Sequence, residues 1–564
     1  MIRKIAKTAF FMTGILVLAG FGGCGSEKAQ TMATPTPVII TATPTPKSKV
    51  SATPMPDSAL TPTPAPTEAE DKEKVSVKTN EDYEEMFKQI KLSESIKPLM
   101  NNNPLMVQRF GADPYAIVYD GRVYIYMTGD KPRFDSDGKP VENDFSNIVD
   151  INVISSADLV NWTDHGSIHA ASAYGAAYWA RNSWAPAVAY KNIDGQDKFF
   201  LYFANNANGI VVLEADTPVG PFKDILNKPL ITRKTPNCDT VTWLFDPAVL
   251  MDDDGQAYIY FGGGVPEGKA ENPGTARVAR LGSDMISLDG DPVTIENVPY
   301  LFEDSGINKI NGKYFYSYCS NFSVTAESKK KYGFDQGQII VMKSDDPMGP
   351  FELCGTVLKA PGTYFGRYGN NHHCLFEFKD KWYITYHARL LEKALGLDGQ
   401  YRSTNIDELS IAEDGTPLLT RGTLEGAKAV AVLDPYAEVP AVTMSHSSGI
   451  DTAPYGKTEK KSGSGTMLVS DMHDGSFVGV SNVDFGDGGA KTITVKLRGS
   501  GSGAIKVALD LPGSGGIAYV PVTAPGEEIA EASIELLSAP EGVHRVFFVF
   551  AGEDYEVLSW QFKK

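Results

Sequence analysis

The sequence is short of cysteine and of positive charge. It has five Cys among 564 residues, and no two of them form a CxxC pair, so the usual spacing of a zinc site is missing. Lys and Arg number 52 against 70 Asp and Glu, which gives a net charge of −18. Nucleic acids and anionic membrane surfaces attract basic proteins, so neither is an expected partner.

Helical periodicity is also scarce, whereas aromatic residues make up 10% of the chain and favour strands. The apolar segment at the N-terminus is of the targeting type: MIRKIAK supplies positive charge and TAFFMTGILVLAGFGG a short apolar run. Cys24 follows two glycines, which resembles a bacterial lipobox. Residues 1–24 are therefore predicted to be a lipoprotein-type signal peptide, with the exported protein anchored to the cell surface through a lipid on Cys24. The alternative is an ordinary cleaved signal and a secreted protein.

Residues 25–95 are predicted to be a linker. The stretch ATPTPVIITATPTPKSKVSATPMP is rich in Thr and Pro, and such chain is extended and cannot pack a core. Within its last part, residues 81–96 are predicted to form one short helix.

Five similar segments follow between residues 96 and 435. They read ADPYAIVYDGRVYIYMT, APAVAYKNIDGQDKFFLYFA, DPAVLMDDDGQAYIYFGG, EDSGINKINGKYFYSYCS and HHCLFEFKDKWYITYHA. Each has an apolar strand, a turn containing Asp-Gly, Asn-Gly or Asp-Lys, and an aromatic strand, which is the pattern of a β-hairpin. Irregular repeats of this kind predict a five-bladed β-propeller.

The first strand of each propeller blade lines the central channel, so equivalent residues meet near the axis. Counted from the residue before the shared strand, these are Asp113, Ala185, Asp246, Glu303 and His372. Three carboxylates in one channel raise one another's pKa, which stability alone does not favour. The pattern therefore indicates a site, with the capping of strand ends as the alternative.

A glycoside hydrolase typically needs two carboxyl groups, one on either side of its pocket. One protonates the leaving oxygen, and the other activates a water molecule. A third carboxylate nearby can keep the acid protonated near neutral pH.

The motifs RFGADPYAIVYDGRVYIY, SWAPAVAY, FDPAVLMDDDGQAYIYFGG, LFEDSGINKINGKYFYSY and NNHHCLFEFKDKWYITYHAR resemble glycoside hydrolase family 43. The resemblance implies a five-bladed propeller and an inverting mechanism. It implies that Asp113 is the general base, that Asp246 tunes and orients the acid, and that Glu303 is the general acid.

The same resemblance implies a possible cofactor, a structural Ca²⁺ in the propeller channel next to His372, and no organic cofactor. Calcium prefers oxygen ligands, so a histidine alone is a weak signal. His373 is an alternative by register, and hydrogen-bonded channel histidines are the alternative for both residues.

Three further residues are predicted to contact substrate. Phe110 and Trp184 offer flat apolar surfaces beside the axial residues, with core packing as their alternative. Arg389, in YHAR, has the donors to bond sugar hydroxyls or a site carboxylate, with a surface salt bridge as its alternative.

Residues 440–564 alternate apolar and polar residues at strand period, which predicts a β-sandwich, a jelly roll. GSFVGVSNVDFG and GVHRVFFVFAGEDYEVLSWQF resemble a family 6 carbohydrate-binding module. AVTMSHSSGI stands where that module has an early glutamate, and Ser559 stands near a common asparagine-type ligand. Both sugar binding and a purely structural role therefore remain open for this domain.

The motifs RFGADP, EDSGINK and NNHH resemble the arabinoxylan arabinofuranohydrolase and β-xylosidase branch of the family. The resemblance implies an enzyme that removes α-L-arabinofuranosyl groups from arabinoxylan, and we expect this enzyme to be a monomer. The alternatives are a β-xylosidase acting on xylo-oligosaccharides and a non-catalytic surface lectin that binds xylan. The triplet Asp252–Asp254 is predicted to be a solvated hairpin turn, despite its density of charge.

Overall fold

Strands dominate the structure, a computed structural model that describes residues 78–456 and 465–564. All of these residues belong to one unit of the chain, 76–564. In this part of the chain the helices are short: Asn80–Gln89 (α1), Ala326–Tyr332 (α2), Gly362–Phe365 (α3), Leu390–Ala394 (α4) and a 3₁₀ turn, Phe145–Asn147. The prediction of an all-β protein is confirmed. The predicted signal peptide, Cys24 and most of the linker lie outside the described residues.

Five antiparallel sheets follow one another along residues 112–409, and we number them sheets 1 to 5. Sheet 1 contains Ala112–Tyr119 (β1), Arg122–Thr128 (β2), Asp150–Ser156 (β3) and Trp162–His169 (β4). Sheet 2 contains Trp184–Ile193 (β5), Gln196–Ala204 (β6), Gly209–Ala215 (β7) and Ile231–Thr232 (β8). Sheet 3 contains Ala248–Met251 (β9), Ala257–Phe261 (β10), Arg277–Arg280 (β11) and Val293–Thr294 (β12).

Sheets 4 and 5 complete the series. Sheet 4 contains Leu301–Ile310 (β13), Lys313–Ser320 (β14), Ile339–Ser344 (β15) and Glu352–Leu358 (β16). Sheet 5 contains His373–Phe378 (β17), Lys381–Ala388 (β18) and Ser403–Leu409 (β19). The first strands contact one another in order, β1 with β5, β5 with β9, β9 with β13 and β13 with β17, and β17 contacts β1.

The five predicted hairpins are all present, because their turn residues accept the left-handed backbone that a tight hairpin needs. Asp120, Asp194 and Asn311 have φ of 47°, 53° and 50°, and each precedes a glycine that also has positive φ. Such pairs form turns whose twist matches that of the flanking strands. Lys379 and Asp380 adopt the same backbone without glycine.

The Asp252–Asp254 triplet lies in the third hairpin turn, as predicted, but its first member is not simply solvated. The Asp252 carboxylate pairs with Lys309 at 2.5 Å and accepts a hydrogen bond from the Tyr314 hydroxyl at 2.6 Å. The two bonds tie the turn of sheet 3 to sheet 4. Asp252 therefore has a packing role, while Asp253 and Asp254 are exposed.

The C-terminal domain is a sandwich of two sheets, as predicted. Sheet 6 contains Val439–Pro440 (β20), Asp451–Pro454 (β23), Met467–Ser470 (β24), Thr492–Gly499 (β26), Gly526–Glu535 (β29) and Tyr555–Lys563 (β31). Sheet 7 contains His446–Ser448 (β22), Phe477–Asp484 (β25), Ser502–Leu509 (β27), Gly516–Thr523 (β28) and Val543–Gly552 (β30). Alternate side chains of both sheets, among them Ile493, Val507 and Trp560, form the core between them.

The sandwich is joined to sheet 1 by a strand of its own. Thr443–Met444 (β21) pairs antiparallel with Thr163 and Trp162 at the outer edge of β4. Close by, the side-chain amide of Asn161 donates to the backbone oxygen of Ser481 and accepts from its backbone N–H, both at 2.8 Å. The two domains are therefore linked through backbone groups.

Helix α1 packs on the outer face of sheet 7. Phe87 is buried against a cluster that includes Tyr519 and Phe547, and Tyr83 stacks on Tyr519 with ring centroids 6.2 Å apart. A capping box between Thr79 and Asp82 begins the helix. The helix is shorter than predicted, and residues 78–95, which the composition assigned to the linker, lie partly against the sandwich.

The four cysteines among the described residues, Cys238, Cys319, Cys354 and Cys374, are free thiols. Cys319 and Cys374 are buried in the cores of sheets 4 and 5, as predicted for small core residues. Within residues 78–456 and 465–564 there is no helix with the length and apolarity needed to cross a bilayer.

Candidate active site

The first strands of four sheets share a local distortion where they approach one another. In sheets 1, 2 and 4 the pairing with the second strand is interrupted by a bulge. Each bulge contains a residue with positive φ: Asp113 at 48°, Ala185 at 45° and Asp304 at 71°. Asp246, at 48°, has the corresponding place before β9. Positive φ is uncommon for residues other than glycine and accumulates at functional sites.

The predicted equivalence of Glu303 with these residues is wrong by one position. Glu303 pairs with Cys319 just as Ala112 pairs with Thr128, so Asp304 is the true counterpart of Asp113. The fourth repeat reads Glu-Asp-Ser where three others read Asp-Pro or Ala-Pro, and two adjacent acids made the register ambiguous. Glu303 is nevertheless buried next to Asp304 in the chain, and the charges of Asp246 and Asp113 raise its pKa.

Asp113 is buried and surrounded by positive or polar partners. Its Oδ1 accepts a hydrogen bond from Nη1 of Arg402 at 2.7 Å, and Nδ1 of His387 lies 3.1 Å from the same oxygen. Burial alone would raise the pKa of Asp113, but the charge of Arg402, and after it His387, lowers this pKa well below its usual range. Asp113 is therefore ionised.

Arg402 is itself held by a second buried carboxylate. Its Nη2 donates to Oδ1 of Asp130 at 2.8 Å, and its Nε donates to Oδ2 of Asp130 at 3.0 Å. This two-point contact fixes the plane of the guanidinium, which leaves Nη1 directed at Asp113. Burial opposes the charge of Arg402, but the two carboxylates outweigh it and raise the pKa of Arg402 further.

The pKa values of Asp246 and Glu303 are raised, whereas that of Asp113 is lowered. Burial, followed by the charge of Asp113, raises the pKa of Asp246, and the backbone N–H of Asp304, 2.9 Å from Asp246 Oδ2, opposes this. Burial, followed by the charges of Asp246 and Asp113, raises the pKa of Glu303 well above its usual value. No described residue donates a hydrogen bond to Oε1 of Glu303. The Asp304 N–H stabilises the charged form of Asp246, whereas Oε1 of Glu303 has no such donor. We therefore assign the proton to Glu303.

His372 lies between the carboxylates. Its Nδ1 is 3.6 Å from Oδ1 of Asp113 and 3.8 Å from Oδ2 of Asp246, and its Nε2 is 3.1 Å from Oδ1 of Asp304. Burial lowers the pKa of His372, against the attraction of Asp304 and Asp113.

His373, the alternative metal candidate, has both ring nitrogens occupied. Its Nδ1 is 2.5 Å from Asp304 Oδ2, and its Nε2 is 2.8 Å from the Ser317 hydroxyl. Of the two histidines, His372 therefore remains the candidate metal ligand. Among the described residues no group of three or more His, Cys, Asp or Glu side chains is arranged around one metal position.

A shallow cleft opens beside the partners of Asp113. Arg402 and His387 form its inner wall, and Phe145, Asn370 and Arg389 are among the residues around them. Arg389 pairs with Glu392 at 2.5 Å and with Asp398 at 2.9 Å, rather than with an axial carboxylate. Its predicted contact with sugar hydroxyls stays a prediction.

Phe110 and Trp184, the two aromatic residues predicted to contact substrate, have different surroundings. Phe110 is 3% exposed and packs against Tyr401, with ring centroids 5.5 Å apart. It has almost no surface to offer a sugar, which corrects its assignment as a wall in favour of core packing. Trp184 is half-buried, and its Nε1 donates to the backbone oxygen of Phe145 at 2.9 Å, next to the cleft. Its role as a wall stays a prediction.

Four residues of the site escaped sequence reasoning: Asp130, Asp304, His387 and Arg402. Asp130 and Arg402 lie outside the repeated hairpin motifs, and Arg402 reaches Asp113 across 289 positions of sequence. His387 lies in YHAR, two residues before Arg389, and its spacing gave no signal of contact with Asp113. The sequence did contain a signal for Asp304. An alignment of the fourth repeat on Gly306 and Ile307 would have placed Asp304 at the axial position.

Both departures of the sandwich from the carbohydrate-binding pattern are buried. The stretch AVTMSHSSGI lies under residues 94–98, where Ser448 donates to the backbone oxygen of Glu94 at 2.5 Å and His446 faces that of Pro98 at 3.3 Å. The Ser559 hydroxyl donates to Glu438 at 2.6 Å. Neither position is open to a sugar in this arrangement.

The axial group thus contains Asp113, whose pKa is lowered, and Glu303, whose pKa is raised, close to a cleft. The ionised group can take a proton from water, and the protonated one can give a proton to a leaving oxygen.

Comparison with known proteins gives consistent results. Residues 102–417 match Glycosyl hydrolases family 43, and residues 440–564 match Carbohydrate binding module (family 6). An arabinoxylan arabinofuranohydrolase of Paenibacillus polymyxa is 45% identical over 85% of this chain and 77% of its own length. An arabinoxylan arabinofuranohydrolase of Bacillus subtilis (strain 168) is 44% identical over 83% of this chain and 93% of its own length.

Similarity to solved structures extends over both domains, as one example shows. This example is a glycoside hydrolase family 43 arabinoxylan arabinofuranohydrolase from Bacillus subtilis in complex with cellotetraose. The TM-score is 0.79 at 43% identity, and the alignment covers 83% of this chain and 99% of that one.

Proposed function

Since the chain belongs to glycosyl hydrolase family 43, we propose that it is an inverting glycoside hydrolase that removes α-L-arabinofuranosyl side groups from arabinoxylan. The observation that carries the mechanism is the opposite ionisation of two buried carboxyl groups in one site: Asp113 charged by Arg402, and Glu303 kept protonated by burial and by neighbouring acids. The observation that favours this substrate is the extent of the match to arabinoxylan arabinofuranohydrolases, which spans both domains.

In the proposed reaction Asp113 is the general base. Its carboxylate takes a proton from a water molecule as that water attacks the anomeric carbon of the arabinosyl group. Glu303 gives its proton to the glycosidic oxygen as the bond to the main chain breaks. Attack from the face opposite the leaving group inverts the anomeric centre, and an inverting enzyme needs its two carboxyl groups roughly 6.5–9.5 Å apart to admit the water.

Asp246 is proposed to tune and orient the acid. Its charge is the second largest contribution that raises the pKa of Glu303, after burial. The hydrogen bond from the N–H of Asp304 fixes the Asp246 carboxylate. A neighbouring carboxylate raises the pKa of a carboxylic acid, because two like charges at short distance disfavour each other.

The five sheets are proposed to form the blades of a propeller that builds this site. Support comes from the circular order of contacts between first strands, in which β17 returns to β1. A ring of this kind brings residues from the starts of several first strands to one axis.

A calcium ion next to His372 is part of the same proposal. Calcium takes six to eight oxygen ligands, whereas among the described residues no group of three or more His, Cys, Asp or Glu side chains surrounds one metal position. The described residues thus fit only an ion whose ligands are mainly water, and no step of the reaction is assigned to it. A melting temperature that rises with added Ca²⁺ in unaltered protein, and not in a His372→Ala variant, would support this site; equal curves would remove it.

The lipid anchor on Cys24 and the monomeric state are also proposals. Cys24 lies outside the described residues, and the proposal rests on the lipobox-like sequence. Labelled palmitate should enter the membrane fraction bound to this protein and be lost in Cys24→Ala. Sedimentation of the protein without residues 1–24 should give one species of monomer mass.

The decisive experiment identifies the sugar released from three substrates: arabinoxylan, xylo-oligosaccharides and linear arabinan. Arabinose from arabinoxylan alone, with an inverted anomeric centre in proton NMR at early times, is the expected result. Release of xylose alone would identify a β-xylosidase instead. Binding to xylan with no release from any substrate would identify the non-catalytic lectin.

A further inference from the structure

The segment that leads into the proposed base is held by the C-terminal domain as well as by its own sheet. Residues 108–111 precede β1 and end two positions before Asp113, and we call them the base segment. Nη2 of Arg109, in this segment, donates to the hydroxyl of Thr452 in the sandwich strand β23 at 3.0 Å. The sandwich therefore contacts the chain four residues from the carboxylate that is proposed to activate water.

A buried carboxylate joins the two sides of this contact. Oδ2 of Asp164, in β4, pairs with Nη2 of Arg109 and accepts from the Thr452 hydroxyl at 2.7 Å. Gln108 Nε2 donates to the same oxygen at 3.1 Å, and the N–H of Gly166 donates to Oδ1 at 2.8 Å. Burial raises the pKa of Asp164, but the charge of Arg109 and these hydrogen bonds lower it below its usual value. A buried charge that loses a donor keeps the cost of its desolvation, so Asp164 favours the arrangement in which Arg109 and Thr452 both stay in place.

The end of the base segment is bonded to the arginine that sets the charge of the base. The N–H of Gly111 donates to the backbone oxygen of Arg402 at 3.1 Å, and the Gly111 oxygen accepts from the Thr404 hydroxyl at 2.9 Å. The guanidinium of the same Arg402 bonds Asp113 at 2.7 Å. A shift of the base segment therefore changes the position of Asp113 and its contact with Arg402 together.

The sandwich approaches β4 closely at this point. Both β23 and β24 contact β4. A Cβ on Gly166 would lie 2.8 Å from the sulfur of Met467, in β24. The glycine thus admits the sandwich to the distance at which Thr452 reaches Asp164.

We propose that the sandwich takes part in building the active site: Thr452 is a positioning residue that acts through Arg109 and Asp164 to hold the base segment, and with it Asp113, in the orientation for reaction. This inference rests on the proposed function and deepens it. The C-terminal domain contributes to the turnover even of a substrate too small to reach it, unlike a domain that only binds polysaccharide.

The first test measures turnover of 4-nitrophenyl α-L-arabinofuranoside, a substrate without a main chain. Thr452→Val keeps the shape of the side chain and removes both hydrogen bonds of the hydroxyl. The kcat should fall about tenfold, because a catalytic group displaced by about 1 Å can lose roughly 100-fold in rate. The KM should change little, because the lost contact acts on the base rather than on the bound sugar. Thr452→Ser keeps the hydroxyl and should restore most of the rate.

Thr443→Val is the matched control. The Thr443 hydroxyl, in β21, lies 2.8 Å from that of Thr163 across the same junction between the domains, away from the base segment. This variant should keep the kcat of the unaltered protein. An equal loss of kcat in both variants would show a general loosening of the junction, and no loss in Thr452→Val would leave Thr452 with a packing role; either result would overturn the inference.

The second test does not depend on turnover. Hydrogen–deuterium exchange in a peptide that includes the Gly111 amide should be about tenfold faster in Thr452→Val and unchanged in Thr443→Val. If the unaltered protein hydrolyses no arabinofuranoside but this exchange still depends on Thr452, the proposed function fails and the link from the sandwich to the base segment stands. If the exchange is unchanged in Thr452→Val, or becomes faster while kcat stays the same, the positioning role fails.

Discussion

At the scale of single residues, one arginine sets the charge of the proposed base. Arg402 makes a two-point contact with Asp130 and a single hydrogen bond with Asp113. Asp113 can accept a proton only when it is ionised, so activity is lost as the pH falls through its pKa. Because the pKa is lowered, this loss is confined to acidic pH.

Arg402→Lys should move the acid limb of the pH profile upward. A lysine keeps the charge but has no planar fork, so it cannot hold Asp130 at two points and reach Asp113 as well. The pKa of Asp113 should rise, and the acid limb of kcat/KM should move up by about one pH unit. Arg389→Lys, which leaves the axial contacts intact, should keep the limb in place. A limb that does not move in Arg402→Lys would exclude Arg402 as the cause of the low pKa.

Glu303→Gln should abolish turnover without unfolding the protein. An amide has no proton to give to the leaving oxygen, so kcat on arabinoxylan should fall at least 10³-fold, within the roughly 10²–10⁴-fold range of acid–base catalysis. The loss should be smaller on 4-nitrophenyl α-L-arabinofuranoside, whose leaving group needs less protonation. Glu377→Gln, an exposed change on β17, is the control. Near-normal activity on the polymer would show that another residue is the acid.

The same variant tests the electrostatic cost of the site. The folded-state pKa of Glu303 is raised, so between the unfolded and folded pKa values the folded protein holds a proton that the unfolded chain releases. Stability must therefore fall as the pH rises through that window. Glu303→Gln removes this loss, and its melting temperature at pH 8 should equal or exceed that of the unaltered protein.

At the scale of elements, the hairpins were predictable and the contacts between them were not. Turn residues such as Asp120 and Asn311 act locally, through a backbone conformation that the sequence alone determines. The register of the fourth repeat failed because Glu303 and Asp304 are both acidic, and only the strand pairing shows which one lies in the bulge. Arg402 reaches the site through tertiary packing, which leaves no periodic signal.

The sequence around helix α1 did not show that the helix packs on the sandwich. Composition placed residues 78–95 in a linker, because charged residues outnumber apolar ones there. The few apolar side chains, Tyr83 and Phe87 above all, lie on one face of the helix and meet sheet 7. A short amphipathic segment is stabilised by its partner surface rather than by its own propensity, so its sequence alone is ambiguous.

Phe87→Ala should release helix α1 from the sandwich. Replacing a buried phenylalanine by alanine typically costs about 3 kcal/mol, which corresponds to amide exchange about 100-fold faster in residues 84–89 if the helix opens as a unit. Hydrogen–deuterium exchange followed by mass spectrometry measures this directly. Glu85→Ala, an exposed change in the same helix, should have little effect. Unchanged exchange in Phe87→Ala would show that other contacts hold the helix.

At the scale of the whole molecule, sheets 1 to 5 and the sandwich belong to one compact unit of the chain. The sandwich supplies β21 to sheet 1, and Asn161 bonds the backbone of Ser481 in the manner of a neighbouring strand. The sequence predicted two domains and their classes. It did not predict their junction, because two-residue strands and one buried amide have no recognisable pattern.

Asn161→Asp should uncouple the two domains. The new carboxylate oxygen would face the Ser481 oxygen and the carboxylate of Asp158, which lies 2.6 Å from the Asn161 nitrogen. Calorimetry should then resolve two unfolding transitions where the unaltered protein has one. Asn227→Asp, an exposed change in sheet 2's outer loop, should keep a single transition. One transition at the original temperature in Asn161→Asp would show that the junction tolerates the repulsion.

The position of β21 has a consequence for how separate molecules meet. Thr443 and Met444 cover the outer edge of β4, and the N–H of Asp164 is bonded to the Val442 oxygen at 3.1 Å. Uncovered strand edges are templates for pairing with other chains. A catalytic fragment that ends at residue 435 would expose this edge, and we expect it to self-associate and precipitate on overexpression, however intact its active site. We therefore expect the C-terminal domain to keep the protein soluble by covering this strand edge.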